Sequence, residues 1–260
     1  MFAVVKVKNV LKALCALVLV AVLIPLAVKS GASEVYAGRT NRKLPIYCVD
    51  RSDNAVSLSF DASWGCDSTE KILSVLEKYD VVANYFVVNL WVDKYPELLQ
   101  KLHKSGRVEI GMHSATHPHM KKLSRGEIER EISLNMSAIE EITGVKPTLF
   151  RAPFGEYSDS VIEIAEKLGS KVIQWDVDSL DWKNPSASEI ATRVLKGVKP
   201  GSIVLMHNDG KHTAEALPLI LEGLKNKNLK PVRISELIYA DNYEIDHTGK
   251  QISKNQRSKL

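Results

Sequence analysis

The 260-residue chain has little cysteine, little net charge and no low-complexity sequence, and each scarcity removes a class of function. Three cysteines cannot staple a disulfide scaffold. Cys15 falls in an N-terminal targeting segment. Cys48 and Cys66 are read as two separate thiols packed as small hydrophobes, rather than as a bridge. The formal net charge of +4 shrinks on inspection, because four lysines and one glutamate lie in the first 37 positions. Lys250, Lys254, Arg257 and Lys259 then crowd a polar C-terminal end that is expected to fray. No basic patch interleaved with aromatics is left, which excludes nucleic acid as a partner. With 45% apolar and 25% charged residues the chain is not disordered over most of its length.

Long uncharged apolar runs are scarce too. One extends from Ala13 to Val28, preceded by Lys6, Lys8 and Lys12 and followed by the small-residue pattern Val35-Tyr36-Ala37. At 16 residues it is short for a membrane span, which favours a cleaved signal peptide, with an uncleaved anchor as the alternative. Either outcome places the rest outside the cytoplasm, with membrane contact only through this segment. The organisation expected is a signal or anchor over 1–37, a linker and first strand over 38–54, a main domain over 55–240 and a polar basic tail over 241–260.

Within the main domain short apolar strands alternate with helices. Strands are expected at Val56–Phe60, Ala83–Val88, Val108–Met112, Thr148–Arg151, Lys171–Trp175 and Ser202–Met206. Ser124 with Glu127 forms a capping-box pattern closed by Gly144, and Ser186 with Glu189 repeats it, closed by Gly197. Further helices are expected at Glu156–Leu168 and Thr213–Leu224. Alternation of this kind requires a parallel sheet covered by helices. The count points to an α/β fold, a distorted (β/α) barrel of about seven parallel strands in a single domain. An open doubly wound sheet would also carry ligands at its strand ends.

Polar residues with chemistry gather at those ends. Asp61, His113, Arg151, Asp178 and His207 each sit at or just past the C-terminal end of an expected strand, the rim that holds active sites in barrels. His113 and His117 are four apart. If a helix follows the strand, both imidazoles project from one face and can share a metal ion. His119 falls on the other side of the turn and is expected to face solvent. Asp61 is either a turn residue or a general base. Arg151 is either a surface guanidinium or a group whose direction the rigid Arg-Ala-Pro-Phe-Gly turn fixes. His207, ending the apolar strand Ile203–Met206, is either a satisfied core histidine or a general acid.

Five motifs in order, Ser59-Phe60-Asp61-Ala62-Ser63-Trp64-Gly65, His113-Ser114-Ala115-Thr116-His117, Arg151-Ala152-Pro153-Phe154-Gly155, Asp178-Ser179-Leu180-Asp181-Trp182 and Leu205-Met206-His207, make residues 55–240 resemble the polysaccharide deacetylase family, carbohydrate esterase family four. The likeness is to its sporulation-associated branch. The first motif departs from the family's Phe-Asp-Asp, since Ala62 stands where a second carboxylate normally binds metal. The resemblance implies metal-dependent removal of N-acetyl groups from peptidoglycan or a chitin-like glycan. It makes Asp61 the general base, Arg151 its partner, His207 the general acid and Asp181 the carboxylate that orients it. Asp178 ranks below Asp181, as a supporting or turn residue. It implies a divalent metal, zinc first with cobalt, nickel or manganese as alternatives, on His113 and His117. A third ligand is then wanted, and Asp67 is the candidate, its alternative role being a helix cap. The backbone N–H of Phe154 is the implied oxyanion donor, and Trp182 the implied pocket wall. Two other readings stay open: a catalytically degenerate glycan-binding protein on the same scaffold, and an amidase acting on a small non-sugar amide.

Overall fold

A computed structural model describes residues 42–257, so the stretch expected to be a signal or anchor and the start of the expected linker lie outside the described residues. The first strand of the main sheet shows why the chain folds as it does. β2 (Ala55–Ala62) is buried along its whole length. Val56, Leu58, Phe60 and Ala62 enter the large apolar cluster beneath the helices. Side chains alternate along a strand, so Ser57, Ser59 and Asp61 share the opposite, inward face. The Ser57 and Ser59 hydroxyls are satisfied by donating to the carbonyls of Val232 and Val204 at 2.7 and 2.6 Å.

Seven parallel strands form the main sheet, in the order β6 (Lys171–Val172), β5 (Leu149–Phe150), β4 (Val108–Met112), β3 (Ala83–Val87), β2, β8 (Ile203–His207) and β7 (Val177–Asp178). A further short strand, β9 (Lys230–Pro231), pairs with the start of β2. The two end strands of that order do not pair with each other, so the barrel is open there. The gap is bordered by Ile46, which bridges Ile173 in parallel. The expected distorted barrel is therefore the observed one, although β5 and β6 are shorter than their apolar runs suggested.

The helices α1 (Thr69–Lys78), α2 (Asn89–Lys94), α3 (Pro96–Lys104), α4 (Arg125–Thr143), α5 (Asp159–Lys167), α6 (Ala187–Gly197) and α7 (Thr213–Asn226) connect the strands. Both capping boxes form as read. In each the serine hydroxyl accepts the N–H of the third helical residue while that glutamate accepts the serine N–H. Gly144 ends α4 in the left-handed region at φ 71°.

Inside the barrel a second cluster, including Phe86, Leu149, Ile173 and Ile203, is plugged from below by Ile234 and Leu237 of the short α8 (Ile234–Leu237). The C-terminal end is a correction. Lys250–Ser253 is not a frayed tail but a strand, β11, paired with β10 (Tyr243–Ile245) and with β1 (Cys48–Val49). Its charged flanks mask Gln251, whose buried amide accepts the Tyr239 N–H and donates to the Tyr239 carbonyl, both at 2.8 Å. Val49 in turn lies against Gly201, where φ is +82° and an added Cβ would stand 1.8 Å from the Val49 carbonyl oxygen. Only glycine fits that approach. Cys48 and Cys66 are separate free thiols. Burial, the largest influence, pushes the Cys48 thiol up to about 11, leaving it unreactive at neutral pH.

Candidate active site

The C-terminal ends of β2, β4, β5 and β8 converge on one buried polar cluster. In the β2–β8 ladder Asp61 stands opposite His207, so adjacency in the sheet puts a carboxylate beside an imidazole. In the β4–β5 pair Met112 stands opposite Phe150, which brings the next residues, His113 and Arg151, level with each other.

Asp61 is 6% exposed and accepts a 2.8 Å bond from Nη1 of the fully buried Arg151. The guanidinium also donates Nη2 to the Gln174 carbonyl at 3.2 Å and lies 4.1 Å over the Phe86 ring. Burial works to raise the Asp61 carboxyl, but the neighbouring Arg151 guanidinium foremost, followed by the adjoining imidazoles, outweighs it and holds the group below its ordinary range. Asp61 is therefore ionised at neutral pH.

His113 is buried, and its Nδ1 lies 2.7 Å from the Arg151 carbonyl. A carbonyl only accepts, so Nδ1 carries the hydrogen and the Nε2 lone pair is left facing Asp61 Oδ2 at 3.6 Å. Burial is the largest influence on the ring and holds its pKa below the ordinary value. For His117 burial, seconded by His113, brings it to about 4. Both rings are thus neutral at pH 7, the protonation state a metal ligand needs.

The segment that presents these rings differs from the expected one. Residues 113–117 form no helix. They make a tight loop in which Ser114 (φ 74°) and His117 (φ 58°) take left-handed conformations, and the His117 N–H donates to the Ser114 hydroxyl at 3.0 Å. The two rings still meet, edge to face, with centroids 5.1 Å apart. Two residues missed from the sequence clamp this loop. Glu131 accepts the N–H groups of Ala115 and Thr116 and the Thr116 hydroxyl at 2.8–3.0 Å. Asn135 accepts the His113 N–H at 2.8 Å and donates to Asn89 at 2.7 Å. They lie one turn apart on α4, and that spacing was the only signal in the sequence.

His207 has its own carboxylate. Asp181 Oδ1 lies 2.7 Å from His207 Nδ1, while Oδ2 accepts the His207 N–H at 2.7 Å and the Thr213 hydroxyl at 2.6 Å. Burial acts to lower the imidazole, but Asp181, with help from Asp61 and Asp209, raises it above its ordinary value. The ring is therefore protonated to a higher pH than a free histidine. Asp178 instead accepts the Leu180 N–H at 2.9 Å, a turn contact.

Around the rim Phe154 (φ 58°) packs edge-on to His117, with centroids 4.6 Å apart, and His119 stacks on its ring at 4.5 Å. His119 is half exposed and pairs with Glu156, so its expected solvent-facing role is joined by a stacking one. Trp182 is 56% exposed under the Lys183 ammonium.

Asp67 does not join the cluster. It is exposed and lines a separate groove with Cys66, Glu70, Lys94 and Tyr95. Nor does it cap α1, whose N-cap is Ser68 without a side-chain cap bond. No group of three or more metal-ligating side chains assembles among the described residues. The donors a cation would take are His113 and His117. Asp61 is committed through one oxygen to Arg151, and Ala62 packs with apolar side chains. Two imidazoles fall short of the three protein ligands that a catalytic zinc takes, so the residues present do not fit a complete zinc centre.

The family model described as polysaccharide deacetylase matches residues 49–173. An uncharacterized protein of Bacillus subtilis, YlxY, is 35% identical over 75% of this chain and 60% of its own length, so the chain spans less than two thirds of that relative. A peptidoglycan-N-acetylglucosamine deacetylase of Bacillus cereus is 32% identical over 73% of this chain and 91% of its own length. A crystal structure of a CE4 family pseudoenzyme from Bacillus anthracis superposes with a TM-score of 0.72 at 35% identity, covering 74% of this chain and 68% of that one. A mutant of that protein is described as having restored enzymatic activity.

Proposed function

The chain belongs to the polysaccharide deacetylase family, and we propose that it is a hydrolase removing N-acetyl groups from an extracytoplasmic cell-wall polysaccharide, peptidoglycan or a chitin-like glycan, with release of acetate. The observation that carries this reading is the pair of adjacent groups each held by an oppositely charged partner, Asp61 on Arg151 and His207 on Asp181, in register on neighbouring strands. Hydrolysis of an acetamide needs a base that orients and deprotonates water and an acid that protonates the departing amine. Asp61, held ionised, has one oxygen on Arg151 and a second facing His113 Nε2 at 3.6 Å. His207, held protonated toward neutral pH, has Nδ1 on Asp181 and its Nε2 left to deliver the proton. The Phe154 N–H is the proposed oxyanion donor and Trp182 the proposed wall of the sugar pocket.

Metal dependence is part of the expected chemistry, but Ala62 leaves the donor set at two imidazoles, short of the three protein ligands of a catalytic zinc. That same observation, with the similarity to a pseudoenzyme, supports the second reading of a glycan-binding protein that does not turn over. Acetate release from peptidoglycan and from chitin oligomers, with and without added zinc, cobalt, nickel or manganese, separates the two. Release on any of these supports the hydrolase, and none on all of them leaves the binder.

A further inference from the structure

Trp64 is 59% exposed, the largest such fraction among the large apolar side chains of the described residues. Phe154, at 58%, is nearly as open. Both belong to one row of rings. Trp64 meets His117 with centroids 5.7 Å apart, His117 meets Phe154 at 4.6 Å, and Phe154 stacks on His119 at 4.5 Å. The row runs over the rim from the end of β2 across the loop that carries the paired histidines.

The backbone beside Trp64 is pinned. The Gly65 carbonyl accepts the Trp91 indole N–H at 2.9 Å and the Asn208 side-chain amide at 2.7 Å, and Asn208 also donates to the Thr69 hydroxyl at 3.1 Å. Trp91 and Asn208 are fully buried, and the Asn208 N–H bonds the Asp61 carbonyl at 3.1 Å. The backbone next to the Trp64 ring is thus fixed by two buried donors, which lowers the ordering cost of using that ring as a contact surface. Exposed apolar area fixed beside a polar site marks a ligand contact.

We propose that Trp64 is a seat for a pyranose ring of the glycan chain, one neighbouring the sugar that is deacetylated, and that it gives the site its preference for a polymer over a single sugar. This rests on the proposed function for the identity of the ligand. The chemistry is complementary: a β-linked N-acetylhexosamine carries no net charge and presents a face of C–H groups, which packs on an aromatic face, while its hydroxyls stay in water.

The test measures binding of N-acetylglucosamine and of its pentamer to Asp61→Asn protein, by calorimetry, with Trp64 intact, as Trp64→Phe and as Trp64→Ala. Trp64→Ala is expected to weaken the pentamer about tenfold and the monomer little, and Trp64→Phe to restore most of the loss. Acetate release by the parent protein is followed in parallel. Trp64-dependent pentamer binding without acetate release would sink the hydrolase reading and leave the seat standing. Acetate release with pentamer binding indifferent to Trp64 would overturn the seat alone. Equal weakening of monomer and pentamer would also overturn it, as would no binding of either sugar, and no binding together with no acetate release would remove both readings.

Discussion

Arg151→Met removes the fully buried cation that partners Asp61 and should be the most costly single change at the site. The guanidinium loses a 2.8 Å bond to Asp61, a 3.2 Å bond to the Gln174 carbonyl and its seat over Phe86. Methionine refills much of the apolar volume, so the main cost is the carboxylate left buried without its partner, about 3–5 kcal/mol. The sign with pH follows from Asp61. In the wild type its pKa is held low, so its stabilisation is present above the unfolded carboxylate value of about 3.9 and is lost as pH falls through the folded value. In Arg151→Met burial is opposed by less, the folded pKa rises above the unfolded one, and stability falls as pH rises past about 4. The deficit relative to wild type should therefore grow between pH 4 and pH 7. Adding Asp61→Asn removes the stranded charge and should recover part of the loss, a coupling of about 1–3 kcal/mol. Denaturant unfolding of the four proteins at pH 4 and 7 reads all of this. An Arg151→Met protein within about 1 kcal/mol of wild type at pH 7, or a deficit independent of pH, would refute the pairing as the source of the ionised base.

Two further changes probe separate parts of the site. His207→Ala should reduce acetate release by about two to four orders of magnitude, the range for a general acid, while leaving zinc affinity unchanged when measured against a competing chelator; loss of zinc binding would instead make His207 a ligand. Ala62→Asp places a carboxylate at a buried apolar position and should lower the metal-free melting temperature, with zinc at a hundredfold excess over its Kd restoring about 2.7 kcal/mol; a variant indifferent to zinc would mean that position 62 cannot complete the site in this chain.

Much of the fold was legible because its signals are local. The capping boxes at Ser124 and Ser186 fix two helix starts through bonds between residues three apart, and the buried strands read as short apolar runs. The strand-end position of Asp61, His113, Arg151 and His207 was legible for the same reason. What failed depended on distant partners. The His113–His117 loop takes its shape from Glu131 and Asn135, which lie on a helix that follows it, and the i, i+4 spacing suggested a helix that does not form. The C-terminal strand is ordered by Gln251 bonding to Tyr239 and by β1 from the other end of the chain. Asp67 follows Asp61 closely in sequence, yet the turn after β2, pinned at Gly65, leads it into a different groove.

Acetate released from purified peptidoglycan by the parent protein and by Asp61→Asn, side by side with zinc supplied, tests the central claim most directly. The account expects steady release by the parent and near-complete loss in a folded Asp61→Asn protein, since an amide cannot accept the proton from water. Equal release by both would remove Asp61 from the chemistry, and release by neither, with zinc or any of the other divalent ions, would contradict the assignment of this site as a deacetylase.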